Sequence, residues 1–427
     1  MPPSLGQSLR YGLPGFTLAF AALPLYLLTP ALYAQQFGLH LGLIGLLLML
    51  TRLTDAIADP FIGKWIDAST RPLWIWLSAG LLTMSMGLAL LTNPGLVFSS
   101  DSTMHELTIA AWLVVCTLVV SLSNSVATLA HQGWAVTWTA DVSGQARLIG
   151  AREACGLIGV ITAAAIAGQQ SGALLGAVAI ASGLTAAVLT FGIRASGARP
   201  NPSAGQNTEW SRLFRQPKLR ALLLVLGTNA LANAIPPTLI LFFLQDLLGA
   251  TALQASSLLV TYFIAAAIGV PAWSWAVHRF NPQRVWVMAM AIAVAAFAWT
   301  LSLEHGEITA FAVICVVTGL ALGAELVCPA ILLGRRIDLE QHRGVLEASY
   351  FGIWNLVLKL ALALAAGLSL PILAALDFTP GENRLDNNTV ALQWAYAGIP
   401  CLLKCLAIGM LWRYRDNSTQ RIIDEKE

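Results

Sequence analysis

Charge is what this 427-residue chain lacks: Asp, Glu, Lys and Arg make up 11% of it, against 57% hydrophobic residues and a mean hydropathy of +0.71. A soluble domain carries about a quarter charged residues and must cover its outside with them. So little charge excludes a soluble fold and makes lipid the solvent. A disulfide framework is missing too. The six cysteines, Cys116, Cys155, Cys315, Cys328, Cys401 and Cys405, all fall inside apolar stretches, and no histidine spacing backs them as metal ligands. Also absent are a His-Glu-x-x-His helix, a nucleophile elbow and a phosphate loop, so the chain is not expected to be an enzyme. A net charge of +2 carries no nucleic-acid signature. The residues ahead of the first apolar stretch are few and polar, and that stretch is long enough to stay in the membrane. No cleaved leader is therefore expected.

What the chain has in abundance is apolar runs of about 20 residues, enough to cross a bilayer core. They recur at 14–36, 42–66, 72–94, 107–138, 150–170 and 172–194, and again at 221–248, 254–277, 284–303, 308–334, 346–375 and 391–412. The expectation is an all-α membrane protein of twelve transmembrane helices. Two six-helix bundles, 1–196 and 220–427, flank a Gly-, Pro- and Arg-rich cytoplasmic linker, 197–219. Trp210, Leu213 and Phe214 make that linker a candidate interfacial helix. Two halves around a midplane site is a common transporter plan. Gly319 and Gly323 are spaced to let two helices approach closely.

Basic residues orient the chain. Lys64, Arg71, Arg147, the linker arginines, Arg279, Arg284, Arg335, Arg336, Arg343, Arg413 and Arg415 fall in loops on one side. On the other stand Asp101, Glu106, Asp246, Glu304, Glu307, Asp377, Glu382 and Asp386, with Arg384 the one basic residue. Both termini are expected in the cytoplasm of a bacterial inner-membrane protein.

Charges inside spans cost on the order of 2.5–3.5 kcal/mol each and need a partner or a purpose. The second span carries Arg52, Asp55 and Asp59 at spacings of three and four, which predicts a shared inward helical face. An Arg52–Asp55 salt bridge alone would be structural, yet one arginine cannot neutralise two carboxylates. Two carboxylates on one turn suit Na⁺, which takes oxygen ligands, or a proton, because like charges raise one pKa. Lys359 lies midway along the eleventh span, with Glu325 of the tenth as its candidate partner. Lys404 is expected to be structural or snorkelling. Arg152 and Glu153 open the fifth span as neighbouring counter-ions. His131, Trp134 and Trp138 close the fourth; a lone histidine there reads first as packing, and the tryptophans as a belt or a stacking surface for a flat solute. Asn229 and Asn233, ahead of Pro236-Pro237, predict a helix break that exposes backbone polar groups.

At these residues the chain resembles the glycoside–pentoside–hexuronide:cation symporters, the melibiose permease family of the major facilitator fold. The resemblance runs nearly end to end. It rests on Arg52-x-x-Asp55-Ala-x-x-Asp59-Pro60 with Gly63 and Asp67, on ARLIGAREACGLIG (146–159), and on YFGIWNLVLKLALALAAG, which contains Lys359. It implies cation binding by Asp55 and Asp59, with Asn124 standing where the family has a hydroxyl. It implies solute contacts by Arg152 and Lys359, with His131 in place of a stacking tryptophan; Trp134 and Glu325 join the candidate solute site on the residue reading above. Asp67 and Arg71 lie in the loop DASTRPLW, whose shortening weakens the cytoplasmic gate that the family has there. Three departures matter: Ala19 and Ala127 replace the two sugar-binding aspartates, and Ala58 replaces a cation-site asparagine. Losing the aspartates removes the grip a galactoside needs and leaves a basic, aromatic site that tolerates an anionic or amphipathic solute. Losing the asparagine oxygen weakens Na⁺ more than H⁺.

The resulting expectation is a cation-coupled symporter, H⁺ or Na⁺, moving a small sugar-like or anionic solute by alternating access. No cofactor is expected, no metal beyond Na⁺ at Asp55 and Asp59, no nucleic acid, and no partner beyond the solute and the bilayer, with a monomer as the functional form. A lipid or lysolipid translocator on the same fold, or a non-transporting membrane sensor or assembly factor, stands as the alternative.

Overall fold

The computed structural model of the protein describes residues 3–25, 41–98, 106–139, 141–167, 172–191, 215–375 and 389–414, with single positions at 29, 32, 33, 37, 39 and 213. The linker, including Trp210 and Phe214, and the acidic loop at 376–388 lie outside the described residues, as does Asp101.

Twelve helices order the described residues. In chain order they are α1 (Leu5–Leu23), α2 (Leu41–Ala68), α3 (Leu73–Thr92), α4 (Glu106–Trp138), α5 (Val142–Ala167) and α6 (Gly172–Thr190). Then come α7 (Pro217–Phe242), α8 (Ala252–Arg279), α9 (Pro282–Ala298), α10 (Ile308–Leu339), α11 (Glu347–Ala375) and α12 (Ile399–Arg413). A helical turn at Thr389–Gln393 and a wider turn at Trp394–Gly398 lead into α12. Ten of the helical stretches are long and apolar enough to cross a membrane. The two others are α1 and α2, and α2 carries Arg52, Asp55, Asp59, Lys64 and Asp67.

Helix starts follow local chemistry. Ser4 caps α1 through a reciprocal box with Gln7, and Thr251 caps α8 through the same box with Gln254. The Ser4 cap carries α1 nine residues ahead of the apolar run that marked it in the sequence. α7 contains Pro236 and Pro237 yet runs through them unbroken, which corrects the expected break. Membrane helices tolerate proline where neighbours pack around the freed carbonyls.

Packing divides the chain into two compact units: Met1–Ala204 with His342–Leu356, and Gly205–Gln341 with Val357–Glu427. In the first, α1 crosses α5, α2 packs on α4, and α3 lies between α4 and α6. In the second, α8 crosses α10, while α9 packs on α10 and α12, and α7 on α12. The glycine spacing in α10 does bring helices together: a Cβ on Gly319 would meet the Tyr262 carbonyl, and one on Gly323 the backbone of Gly269 and Val270.

α2 shows how such a bundle meets lipid. Leu46, Met49, Leu50, Leu53, Ile57, Phe61 and Trp65 are exposed at intervals of one turn, while Ile44, Leu48, Asp55, Ala56, Asp59 and Ile66 are buried. Apolar residues face out and carboxylates face in, which is stable only where the outside is hydrocarbon.

Candidate functional site

Asp55 and Asp59 lie one turn apart on the inner face of α2, 4% and 0% exposed. Ser125 of α4 donates from Oγ to Asp55 Oδ1 at 2.7 Å. Arg52 is exposed, and its spacing of three and seven from the two carboxylates keeps it on their side of α2. The hydroxyl at Asp55 thus comes from Ser125, not from Asn124, the position counted back from Arg152. Asn124 is half-buried, and its Oδ1 is buried without a hydrogen bond. Thr117 and Ser121, two turns and one turn before Ser125, present buried hydroxyls without partners on the same face of α4. With Ser125 the two hydroxyls form a buried polar strip along α4.

His131 and Trp134 are built into the packing of α1 against α4. His131 is fully buried, its Nε2 donates to the Tyr11 carbonyl at 2.7 Å, and the Tyr11 hydroxyl donates to the His131 carbonyl at 2.6 Å. Because a carbonyl can only accept, that contact fixes the proton on Nε2. Trp134 is 2% exposed and lies against Tyr11 and Trp138, with ring centroids 5.7 and 5.3 Å away. Both residues are thereby held as packing groups. Arg152, half-buried on α5, is ion-paired with Glu153, its Nε 2.9 Å from Oε1.

Asp67, at the end of α2, accepts the backbone N–H groups of Ala348 at 3.2 Å and Ser349 at 2.7 Å. It caps the first turn of α11, where a carboxylate meets otherwise unsatisfied donors and the positive end of the helix dipole. Around it, Arg343 donates to the Val136 carbonyl and the Asn355 amide to Gln132 Oε1 at 3.2 Å. The approach is close enough that a Cβ on Gly63 would strike the Ala348 carbonyl and one on Gly352 the Asp59 carbonyl. Arg71 is exposed, its backbone N–H on Ser69 Oγ.

In the second unit Glu325 belongs to Lys404, not to Lys359. The Lys404 Nζ lies 2.6 Å from Glu325 Oε1 and 3.0 Å from Asn229 Oδ1, while the amides of Asn229 and Asn233 donate to Oε2 at 2.9 and 2.6 Å. Lys404 is 9% exposed, so it does not snorkel. α12 carries it inward to a carboxylate, which compensates its burial better than a stretch towards the headgroups would. Lys359 is half-buried on α11 in the second unit. Sequence reasoning passed over Ser125 and the pairing role of the two asparagines. The signal for the latter was their spacing of four, which puts two amides on one face of α7.

The family model for MFS/sugar transport proteins matches residues 10–417. Among solved structures, a bacterial homologue of the iron transporter ferroportin in its outward-facing state aligns at a TM-score of 0.74 and 13% identity, over 96% of this chain and 99% of that one. The Escherichia coli fucose:proton symporter aligns at a TM-score of 0.68 and 16% identity, over 96% and 98%. At such identities the two likenesses speak for the fold.

Proposed function

Because the chain belongs to the MFS/sugar transport protein family, a multi-pass secondary transporter, we propose that it is a cation-coupled symporter for a small polar solute in the bacterial inner membrane. The observation that carries this reading is the burial of Asp55 and Asp59 on one turn of α2, with Ser125 on the first. Two carboxylates in a low-dielectric interior repel, and a proton or Na⁺ between them relieves that repulsion. The donor set is all oxygen: two carboxylates, the Ser125 hydroxyl and, on the same turn of α4, the Asn124 carbonyl. Ala58 supplies none, which favours H⁺. Cation occupancy then stabilises the solute-binding state, and the difference in affinity between states does the coupling through alternating access.

On the solute side, Glu153 offsets Arg152, and Glu325 pairs with Lys404. Lys359, half-buried on α11, is the residue that the family resemblance names for contact with an acidic sugar or other anion, and a neutral sugar-like solute fits if Lys359 plays no part. The test starts from a thermal-shift screen of neutral sugars and their acids, with and without Na⁺ and across pH. The best solute then goes into proteoliposomes. A pH or Na⁺ gradient should drive its accumulation through the wild type, whereas Asp59→Asn should keep the fold and solute exchange but not accumulation. Accumulation by Asp59→Asn equal to that of the wild type would overturn the reading.

A further inference from the structure

The second unit encloses a cavity of about 350 Å³, within the size range of small-molecule sites. Along α10 its wall is Phe311, Ile314, Cys315, Thr318, Leu322 and Glu325, spaced at three and four, so it follows about 20 Å of helix. Most of the lining is aliphatic or aromatic. The charged residues are Glu325 and Lys404, which one turn of α10 and one of α12 bring together, with Asn233 beside them.

We propose that this cavity is a ligand site in its own right, for an uncharged amphiphile with an aromatic or branched aliphatic body and a hydroxyl or amide end. Three features specify that chemistry. Lys404 uses two of its three N–H donors, on Glu325 and Asn229, and one remains. Asn233 spends an amide N–H on Glu325, and its Oδ1 accepts no hydrogen bond from the described residues. The polar end therefore offers one donor and one acceptor, which a hydroxyl or an amide satisfies together. Charge is the second feature. Glu325 and Lys404 already cancel, so a ligand ion would bury an uncompensated charge. Third, Tyr262 and Tyr396 line the cavity, and neither phenol is hydrogen-bonded to a described protein group, although Tyr396 is only 2% exposed. The site lies wholly in the second unit and stands whether or not Asp55 and Asp59 bind a cation.

The test uses one body with three ends: 4-phenylbutan-1-ol, 4-phenylbutyrate and 4-phenylbutylamine, titrated calorimetrically into the full chain in lipid nanodiscs, with empty nanodiscs as reference. The alcohol should bind at least tenfold tighter than either ion. Glu325→Gln leaves the lysine charge uncompensated and should move the preference to the carboxylate. Lys404→Gln should move it to the amine. Ala293→Phe, which fills the cavity from α9, should abolish binding of all three, and it decides the matter if either charge variant fails to fold. Absence of alcohol binding, equal uptake of the three unaffected by Ala293→Phe, or an unchanged preference in both charge variants would refute the site.

Discussion

Ser125 holds Asp55 through a hydroxyl that donates to its carboxylate in the interior of the first unit. Hydrogen bonds to charged groups contribute about 1.5–3 kcal/mol. Ser125→Ala should therefore lower stability by about that much, read as a drop in melting temperature, whereas an unchanged melting temperature would mean that the bond adds nothing to the fold. His342 lies in the loop ahead of α11. Burial pushes its pKa below the ordinary value near 6.5, and its Nδ1 lies 2.9 Å from the Tyr350 hydroxyl. A neutral imidazole with its proton on Nε2 can accept there from the phenol. The unfolded chain binds the proton first, so the stability from this contact is whole above about pH 6.5. It falls away as the pH drops towards the lower folded value. His342→Gln should flatten the melting temperature between pH 7.5 and 5.5, and an unaltered slope would remove His342 as the cause. How much of this was readable from residues alone depends on angle. Asp55 and Asp59 were readable, because charge within an apolar run is conspicuous. Ser125 was not, because one residue is about 100° of helix rotation, and a count back from Arg152 lands on Asn124.

Helices meet where their backbones can, and α2 meets the start of α11 through Gly63 and Gly352. Any side chain at Gly63 drives into the Ala348 carbonyl, and overpacking of this kind costs about 1–3 kcal/mol. Gly63→Val should lower the melting temperature and also loosen the Asp67 cap, because Ala348 carries both contacts. Asp67→Ala removes the cap and leaves two N–H groups of a buried helix end to find other acceptors, a loss of about 1–3 kcal/mol. Since both substitutions act on one contact, the double variant should cost less than the sum of the singles. A strictly additive double variant would mean that glycine and cap act separately. Existence and length of the spans were legible because hydrophobic runs set them, and the Gly319–Gly323 approach was legible because small residues four apart have one common use. Which helices touch was not. Lys359 and Lys404 are equally plausible partners for Glu325 on a helical net, and only the packing of α7, α10 and α12 in the folded unit chooses Lys404.

For the molecule as a whole, orientation in the bilayer follows from where lysine and arginine fall. Short loops holding several of them resist translocation, while acidic loops do not. Loops at 64–71, 279–284, 335–343 and the linker are basic, and the loop at 378–386 carries Glu382 and Asp386 with one arginine. By that rule the linker is expected inside and the acidic loop outside, with Asp67 and the cap on α11 at the cytoplasmic end. Impermeant thiol labelling of intact cells reads the orientation directly. The native background is low, because Cys116, Cys315, Cys328 and Cys401 are buried, while half-buried Cys155 and exposed Cys405 lie within apolar helices α5 and α12. A charged maleimide in water does not reach them. Glu382→Cys should label in intact cells, and Ser203→Cys only after permeabilisation. The reverse pattern would invert every span, move Asp67 to the outer face, and require the cation proposed for Asp55 and Asp59 to enter from the opposite end of α2.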